Sequence, residues 1–184
     1  MKSYLITDPQ YYSCDVSIFK YTLQNILLTK EIDFTCFRDK TSSNIEELAT
    51  VFCQTCKKNN IEKYFINTHI DLAAKLGATG VHLTSAQFDK IQQAKDLNLE
   101  VIISTHNEDE IQKAIDNNAD MITYSPIFFT PNKGEPKGIQ NLEQISNKYS
   151  IPIIALGGII DNTHVEKIKQ TSAIAFASIR YFIT

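Results

Sequence analysis

The chain has 184 residues, 43% of them hydrophobic, enough for one well-buried core and too few for two, so residues 1–184 are read as a single domain. Eighteen basic residues against 21 acidic ones give a net charge of −3, with both signs scattered, so nothing favours nucleic acid or an anionic membrane as a partner. The opening Met1-Lys2-Ser3-Tyr4-Leu5-Ile6-Thr7-Asp8 meets an aspartate too early for a secretory h-region, no later stretch has the length of a membrane span, and the expected location is the cytoplasm.

In chain order, the apolar run Tyr4–Thr7 precedes a helical period over 15–30. Phe34–Arg38 is followed by a helix over 43–58, where Ser43 and Glu46 have capping-box spacing. That helix carries Cys53 and Cys56, a CxxC with no second Cys or His pair nearby. Set in a helical pattern, it reads as ordinary packing in a reducing compartment rather than as a zinc or redox site. Next come Tyr64–Asn67 with a helix over 69–76 stopped by Gly77, then Val81–Leu83 with 86–97, and Val101–Ser104 with 107–118. Met121–Ser125 leads into a long irregular stretch, Pro126–Gly138, before a helix over 140–148. Ile151–Leu156 carries Pro152 at its start, Asp161-Asn162 introduce a helix over 162–171, and Ile174–Ser178 is the last run.

The eight apolar runs are nearly continuous in Val, Ile, Leu, Phe and Tyr, as strands covered on both faces must be. Strict alternation with helices implies parallel pairing and right-handed crossovers. The fold class is therefore α/β, a (β/α)₈ TIM barrel, with a doubly wound open sheet as the alternative. The eighth helix is nearly absent, because only a few residues follow the eighth strand. The uncovered groove leads to the expectation of a homodimer with Tyr181 and Phe182 in its contact.

A barrel places its chemistry at the C-terminal ends of its strands. After the second strand stand Arg38, Asp39 and Lys40; the cations suit an anionic ligand, while an Arg38–Asp39 rim pair is the structural alternative. Gly157-Gly158 after the seventh strand and Ser178-Ile179 after the eighth occupy the place where barrels bind phosphate through backbone N–H groups, although Gly-Gly also makes a bare tight turn. His106 is the one histidine falling just past a strand end. It suits proton transfer near neutral pH, or alternatively it caps the next helix. His69 and His164 look helical, and His82 lies within a strand, as packing or as a hydrogen-bonded core group.

These residues, taken together and in order, resemble thiamin phosphate synthase and its sister TenI, the thiazole tautomerase, across nearly the whole chain. Tyr4-Leu5-Ile6-Thr7-Asp8, Phe37-Arg38-Asp39-Lys40, Phe65-Ile66-Asn67 and Gly77-Ala78-Thr79-Gly80-Val81-His82-Leu83 are similar to the family's first four strand motifs. Ser104-Thr105-His106, Pro126 to Lys133, Gly157-Gly158-Ile159 and Ser178-Ile179 are similar to the rest. The resemblance implies a thiazole or pyrimidine phosphate as ligand. Arg38, Lys40, Asn67, Thr130 and Lys133 would contact it, and Gly157, Gly158, Ser178 and Ile179 would hold its phosphate.

Departures from the synthase pattern favour the tautomerase. Cys36 replaces a Gln, Thr68 replaces an Asp after the third strand, and Gln87 stands where the pattern has an Asp after the fourth. Mg²⁺ prefers anionic oxygens, so the expectation is an isomerase with no cofactor and no metal, Mg²⁺ entering only if the chain is a synthase. His106 is the expected acid/base, and Cys36 competes with it if Arg38 lowers its pKa. A non-catalytic phosphate-binding barrel is the third reading. One departure runs the other way: the tautomerase loop resembles Lys-Lys-Gly followed by Arg-Gly, whereas this chain has Lys133-Gly134 and Lys137-Gly138, which leaves the carboxylate-holding cation open.

Overall fold

The structure is a computed structural model and describes residues 1–183. Strand β1 (Lys2–Ile6) leads through the single turn α1 (Pro9–Tyr12) into α2 (Val16–Thr29). Then β2 (Phe34–Phe37) precedes α3 (Ile45–Lys58), β3 (Lys63–Asn67) precedes α4 (Ile70–Leu76), and β4 (Gly80–Leu83) precedes α5 (Ile91–Asp96). The second half repeats the alternation: β5 (Glu100–Thr105) and α6 (Glu108–Asp116), β6 (Met121–Tyr124) and α7 (Gly138–Lys148), β7 (Ile153–Leu156) and α8 (Asn162–Ile168). Among the described residues, β8 (Ala175–Ser178) is followed only by a 3₁₀ turn, Arg180–Phe182. Neighbouring strands pair parallel throughout, and β8 returns to β1 through Lys2↔Ala175 and Leu5↔Ser178. This closed barrel sets the open doubly wound sheet aside.

Strand parity divides the core into two layers. Tyr4, Ile6, Phe34, Cys36, Phe65, Ile102, Met121, Ile154, Ala175 and Ala177 point inward and fill the barrel. Leu5, Phe37, Ile66, Val81, Val101 and Ile103 point outward and meet the helices through Leu23, Leu48, Phe52, Ile91 and Ile111. Inside, Tyr4 packs edge-on against Phe34 and Phe65, with ring centroids 6.1 and 5.9 Å apart. Ala175 and Ala177 leave room for these rings from the neighbouring strand. Each fully buried aromatic contributes about 1.5–3 kcal/mol of transfer free energy. The aromatic filling closes the barrel from below, and the polar inward positions near the strand ends form the floor of the site.

The groove beside β8 is closed by the chain itself. Phe182 is buried and stacks on Phe176 at 5.9 Å, while Tyr181 meets Phe176 edge-on at 5.0 Å and donates its O–H to Asn162 Oδ1 at 2.6 Å. Phe182 is therefore not available to a partner, and the dimer contact expected through this pair loses its apolar anchor.

Local signals held in most places. Gly77 stops α4 in the left-handed region at φ +62°, and Asp161 accepts the His164 N–H to cap α8. The expected capping box did not form. Asn44, not Ser43, is the cap residue of α3, it makes no side-chain cap bond, and Glu46 reaches Lys75 instead. Cys53 and Cys56 are buried, with Cys56 Sγ 3.3 Å from Thr35 Oγ1, and burial pushes their thiols up to about 11 and about 12. They pack α3 against β2. No helix among the described residues is long and apolar enough to cross a membrane.

Candidate active site

A cavity of about 630 Å³ opens at the C-terminal ends of the strands. It gathers ten of the eleven residues singled out from sequence: Arg38, Lys40, Asn67, His106, Thr130, Lys133, Gly157, Gly158, Ser178 and Ile179. These come from six separate strand ends, brought together only by barrel closure.

Cys36 is the exception. It points into the barrel one strand pair below the mouth, is 0% exposed and does not line the cavity. Burial pushes its thiol up to about 12, which outweighs the lowering by the nearby Tyr4 phenol and by Arg38. The expectation that Arg38 would activate it is corrected: loss of hydration, not the neighbouring cation, decides this group.

On the β2 side, Arg38 does not pair with Asp39. Its Nη1 donates to Asp8 Oδ2 at 2.5 Å, and its backbone N–H donates to Thr7 Oγ1 at 2.9 Å. Asp39 accepts instead from the backbone N–H groups of Thr41 and Ser42 and from the Ser42 hydroxyl. Burial raises the Asp39 carboxyl, but these donors outweigh it and leave its pKa below the usual range. The guanidinium has five N–H donors, so the Asp8 contact leaves others for an anion.

The far wall is built by loops. Gly157 and Gly158 lie at φ +102° and +71°, where side chains are strained. A Cβ at Gly158 would stand 2.5 Å from the Phe129 carbonyl oxygen and 2.7 Å from the Phe128 carbonyl carbon. The glycines thus let the β6 loop pack onto the β7 turn, where Phe128 N–H donates to the Gly157 carbonyl at 3.0 Å. Ser178 spends its hydroxyl inside the fold, donating to the Ile159 carbonyl at 2.7 Å, so its contribution to an anion site is its backbone. Lys133 lines the cavity, whereas the Lys137 ammonium lies over the Tyr124 ring, 5.2 Å from its centroid. That separates the two Lys-Gly steps of the loop: only Lys133 faces the cavity.

His106 does not cap α6. Asn107 does so by accepting the Glu110 N–H at 2.9 Å. Glu110 Oε2 then accepts from the His106 backbone N–H at 2.6 Å and lies 3.0 Å from Nδ1. A carboxylate only accepts, so Nδ1 carries the proton in this contact and Nε2 is the ring nitrogen left for a ligand. With 40% of its side chain exposed, His106 stays within reach of solvent at the rim.

Several wall residues went unassigned in the sequence reading. Asp8, Gln10 and Tyr11 arrive with α1, whose signal was Asp8 as cap residue and Pro9 at the first helical position. Thr84, Ser85 and Arg180 follow strand ends, as the barrel rule requires, and Ser104 is the penultimate residue of β5. His82 is buried yet touches the floor of the cavity, and Asn67 Nδ2 fixes its backbone by donating to the His82 carbonyl at 2.7 Å.

Comparison with known proteins agrees with this geometry. The chain is 33% identical over 188 residues to the putative thiamine-phosphate synthase 2 of Aquifex aeolicus, covering 98% of this chain and 96% of that protein. It is 32% identical over 175 residues to the thiamine-phosphate synthase of Lawsonia intracellularis, covering 91% and 78%. With the thiamine-phosphate synthase of Lysinibacillus sphaericus the match is 36% over 121 residues and spans 55% of that relative's length. Among solved structures, the thiamine phosphate pyrophosphorylase from Pyrococcus furiosus superposes with a TM-score of 0.82 at 22% identity, over 97% of this chain and 85% of that one, a likeness of fold. The family model described as thiamine monophosphate synthase matches residues 3–182, and the chain belongs to that family.

Proposed function

We propose that this chain is a metal-independent thiazole tautomerase of thiamin biosynthesis, acting on a thiazole phosphate carboxylate. The observation that carries the reading is His106, held by Glu110 at the mouth of a cavity whose wall offers almost no carboxylate.

A 1,3-proton shift removes a proton from one carbon and delivers one to another, with no net change in composition. One base that turns into its own conjugate acid performs both steps. His106 Nε2 takes the proton, Glu110 faces the imidazolium that forms, and the same nitrogen returns a proton to the second carbon. Lys133 and the free donors of Arg38 hold the anionic groups, Lys40 adds positive charge, and Thr130 and Asn67 line the space between. The backbones of Gly157, Gly158, Ser178 and Ile179 take the phosphate.

Mg²⁺ is the group that the synthase chemistry implies, and the donor set does not fit it. Asp8 is the lone carboxylate lining the cavity among the described residues, and Arg38 engages it. The Gln87 Oε1 atom accepts from the Thr84 N–H and hydroxyl, each at 3.1 Å, and so is turned back into its own loop. Neutral oxygens already in use are poor ligands for a hard cation.

The names of the relatives favour a second reading, thiamin phosphate synthase with an altered metal site. The discriminating experiment supplies hydroxymethylpyrimidine diphosphate and thiazole phosphate with and without Mg²⁺. The tautomerase reading expects no thiamin phosphate in either case; robust product that EDTA abolishes would replace it with the synthase.

A further inference from the structure

The geometry points to His82 as a positioning residue: held by the Tyr4 phenol, it fixes the Ser104 hydroxyl as a hydrogen-bond donor, so the cavity floor selects a ligand that presents an acceptor lone pair there. A ring nitrogen or a carboxylate oxygen meets this requirement, whereas an exocyclic amino group would set donor against donor. The inference rests on the tautomerase reading only for the ligand used to test it.

Three groups form a line from the barrel interior to the floor. The Tyr4 phenol oxygen lies 3.1 Å from His82 Nδ1, and His82 Nε2 lies 3.2 Å from Ser104 Oγ. Tyr4 is 0% and His82 4% exposed, and their rings stack at 5.7 Å with an interplanar angle of 27°. Ser104 borders the cavity and His82 forms part of its floor. Each of the three groups can donate or accept, so the line has two possible directions, and its buried end decides between them.

Burial, with the neighbouring Cys36 adding to it, raises the Tyr4 pKa well above its usual value, so the phenol keeps its proton and must place it. Two acceptors lie beside it, His82 Nδ1 and the Cys36 sulfur. The thiol directs its own S–H toward the Phe37 carbonyl at 3.6 Å, and sulfur is a weak acceptor. The imidazole nitrogen is much the stronger, so Tyr4 donates to Nδ1. A neutral ring that accepts at Nδ1 carries its proton on Nε2, which donates to Ser104 Oγ. The Ser104 proton is then left for the ligand. Burial, and then Arg38, push the His82 pKa down to about 4, so the ring stays neutral and can accept from Tyr4.

The test reads the tautomer and the ligand contact separately. In the full-length chain labelled with ¹⁵N-histidine, two-bond proton–nitrogen correlations at pH 7 should show His82 as the Nε2–H form, its signals assigned by their loss in His82→Gln. An Nδ1–H pattern overturns the proposal, because Ser104 would then be an acceptor toward the ligand. Calorimetric titration with thiazole phosphate carboxylate supplies the second arm. Ser104→Ala and His82→Phe should each weaken binding roughly 3- to 10-fold, the share of one net hydrogen bond, and the double variant should be no weaker than Ser104→Ala within a factor of two. His82→Gln, whose amide still donates, should recover most of the loss. Losses that multiply in the double variant overturn the proposal, because His82 would then act independently of Ser104. If His82→Phe does not fold, the comparison is made with Tyr4→Phe. A wild-type chain that binds no thiazole phosphate carboxylate would sink the functional reading, while the tautomer pattern would still decide this one.

Discussion

Gly158→Ala separates the two reasons for which a glycine is required at the β7 end of the cavity. The first is conformational: at φ +71° a side chain costs about 1–2 kcal/mol. The second is contact. The added Cβ would stand 2.5 Å from the Phe129 oxygen and 2.7 Å from the Phe128 carbonyl carbon, and both are backbone atoms that cannot swing aside. Overpacking of this kind costs about 1–3 kcal/mol, so the sum is roughly 2–5 kcal/mol. For a chain of this length each kcal/mol lowers Tm by about 2–4 °C, giving an expected fall of roughly 5–15 °C. Gly138→Ala is the control, because Gly138 has φ +77° but nothing within 4 Å of its Cβ position. It carries only the conformational cost, partly offset by reduced freedom of the unfolded chain, and should lose no more than about 2–4 °C. Thermal unfolding followed by circular dichroism measures both. Binding of thiazole phosphate should fall about 10-fold or more in Gly158→Ala and stay unchanged in Gly138→Ala. Equal shifts in Tm would refute the argument, since the clash with the β6 loop would then contribute nothing.

His106→Asn should slow tautomerisation by about 10²–10⁴ while leaving ligand affinity nearly intact, whereas Cys36→Ser should cost far less in rate; the opposite ranking in steady-state kinetics would return the role to the thiol. Lys133→Ala should raise KM for the carboxylate-bearing ligand about 10-fold or more, and Lys137→Ala, which removes only the stack on Tyr124, should change it less than twofold. His82 supplies a pH signature. Its folded pKa of about 4 lies below the unfolded value near 6.5, so the stability tied to its neutral form is complete above pH 6.5 and is lost progressively as pH falls toward 4. The loss amounts to about 3 kcal/mol, and urea unfolding of His82→Gln should show a flatter profile over that interval; an unchanged slope would show that other groups set it.

Much of this architecture was legible because parallel strands covered on both faces leave continuous apolar runs, and eight of them separated by helical periods allow few closures. Where legibility failed, the cause was local. The turn α1 is four residues long, too short to show a period, and only the cap at Asp8 and the ring of Pro9 announced it. Ser43 and Glu46 had the spacing of a capping box, but Lys75 drew Glu46 away and the cap fell to Asn44.

The site was legible to the extent that barrel geometry puts function at strand ends. Cys36 stands only two residues before Arg38, yet two strand residues span roughly 6.6 Å, enough to carry its thiol from the mouth to beneath the floor. His82 is the converse. Read as interior, it is interior, and its nitrogens become informative only once closure brings Tyr4 and Ser104 to either side of it. The pairing of Arg38 with Asp8 rather than Asp39 likewise depends on the adjacency of β1 and β2, which local spacing does not encode.

The central claim is that His106 moves a proton on a thiazole phosphate carboxylate without a metal. The most direct measurement follows conversion of that tautomer to its aromatic form by NMR in D₂O containing excess EDTA. Turnover is expected at a rate that EDTA does not change, with solvent deuterium appearing at the newly protonated carbon, because the rim-exposed His106 exchanges its proton with water. Absence of conversion above the uncatalysed rate, or conversion that stops when EDTA is added, would contradict it.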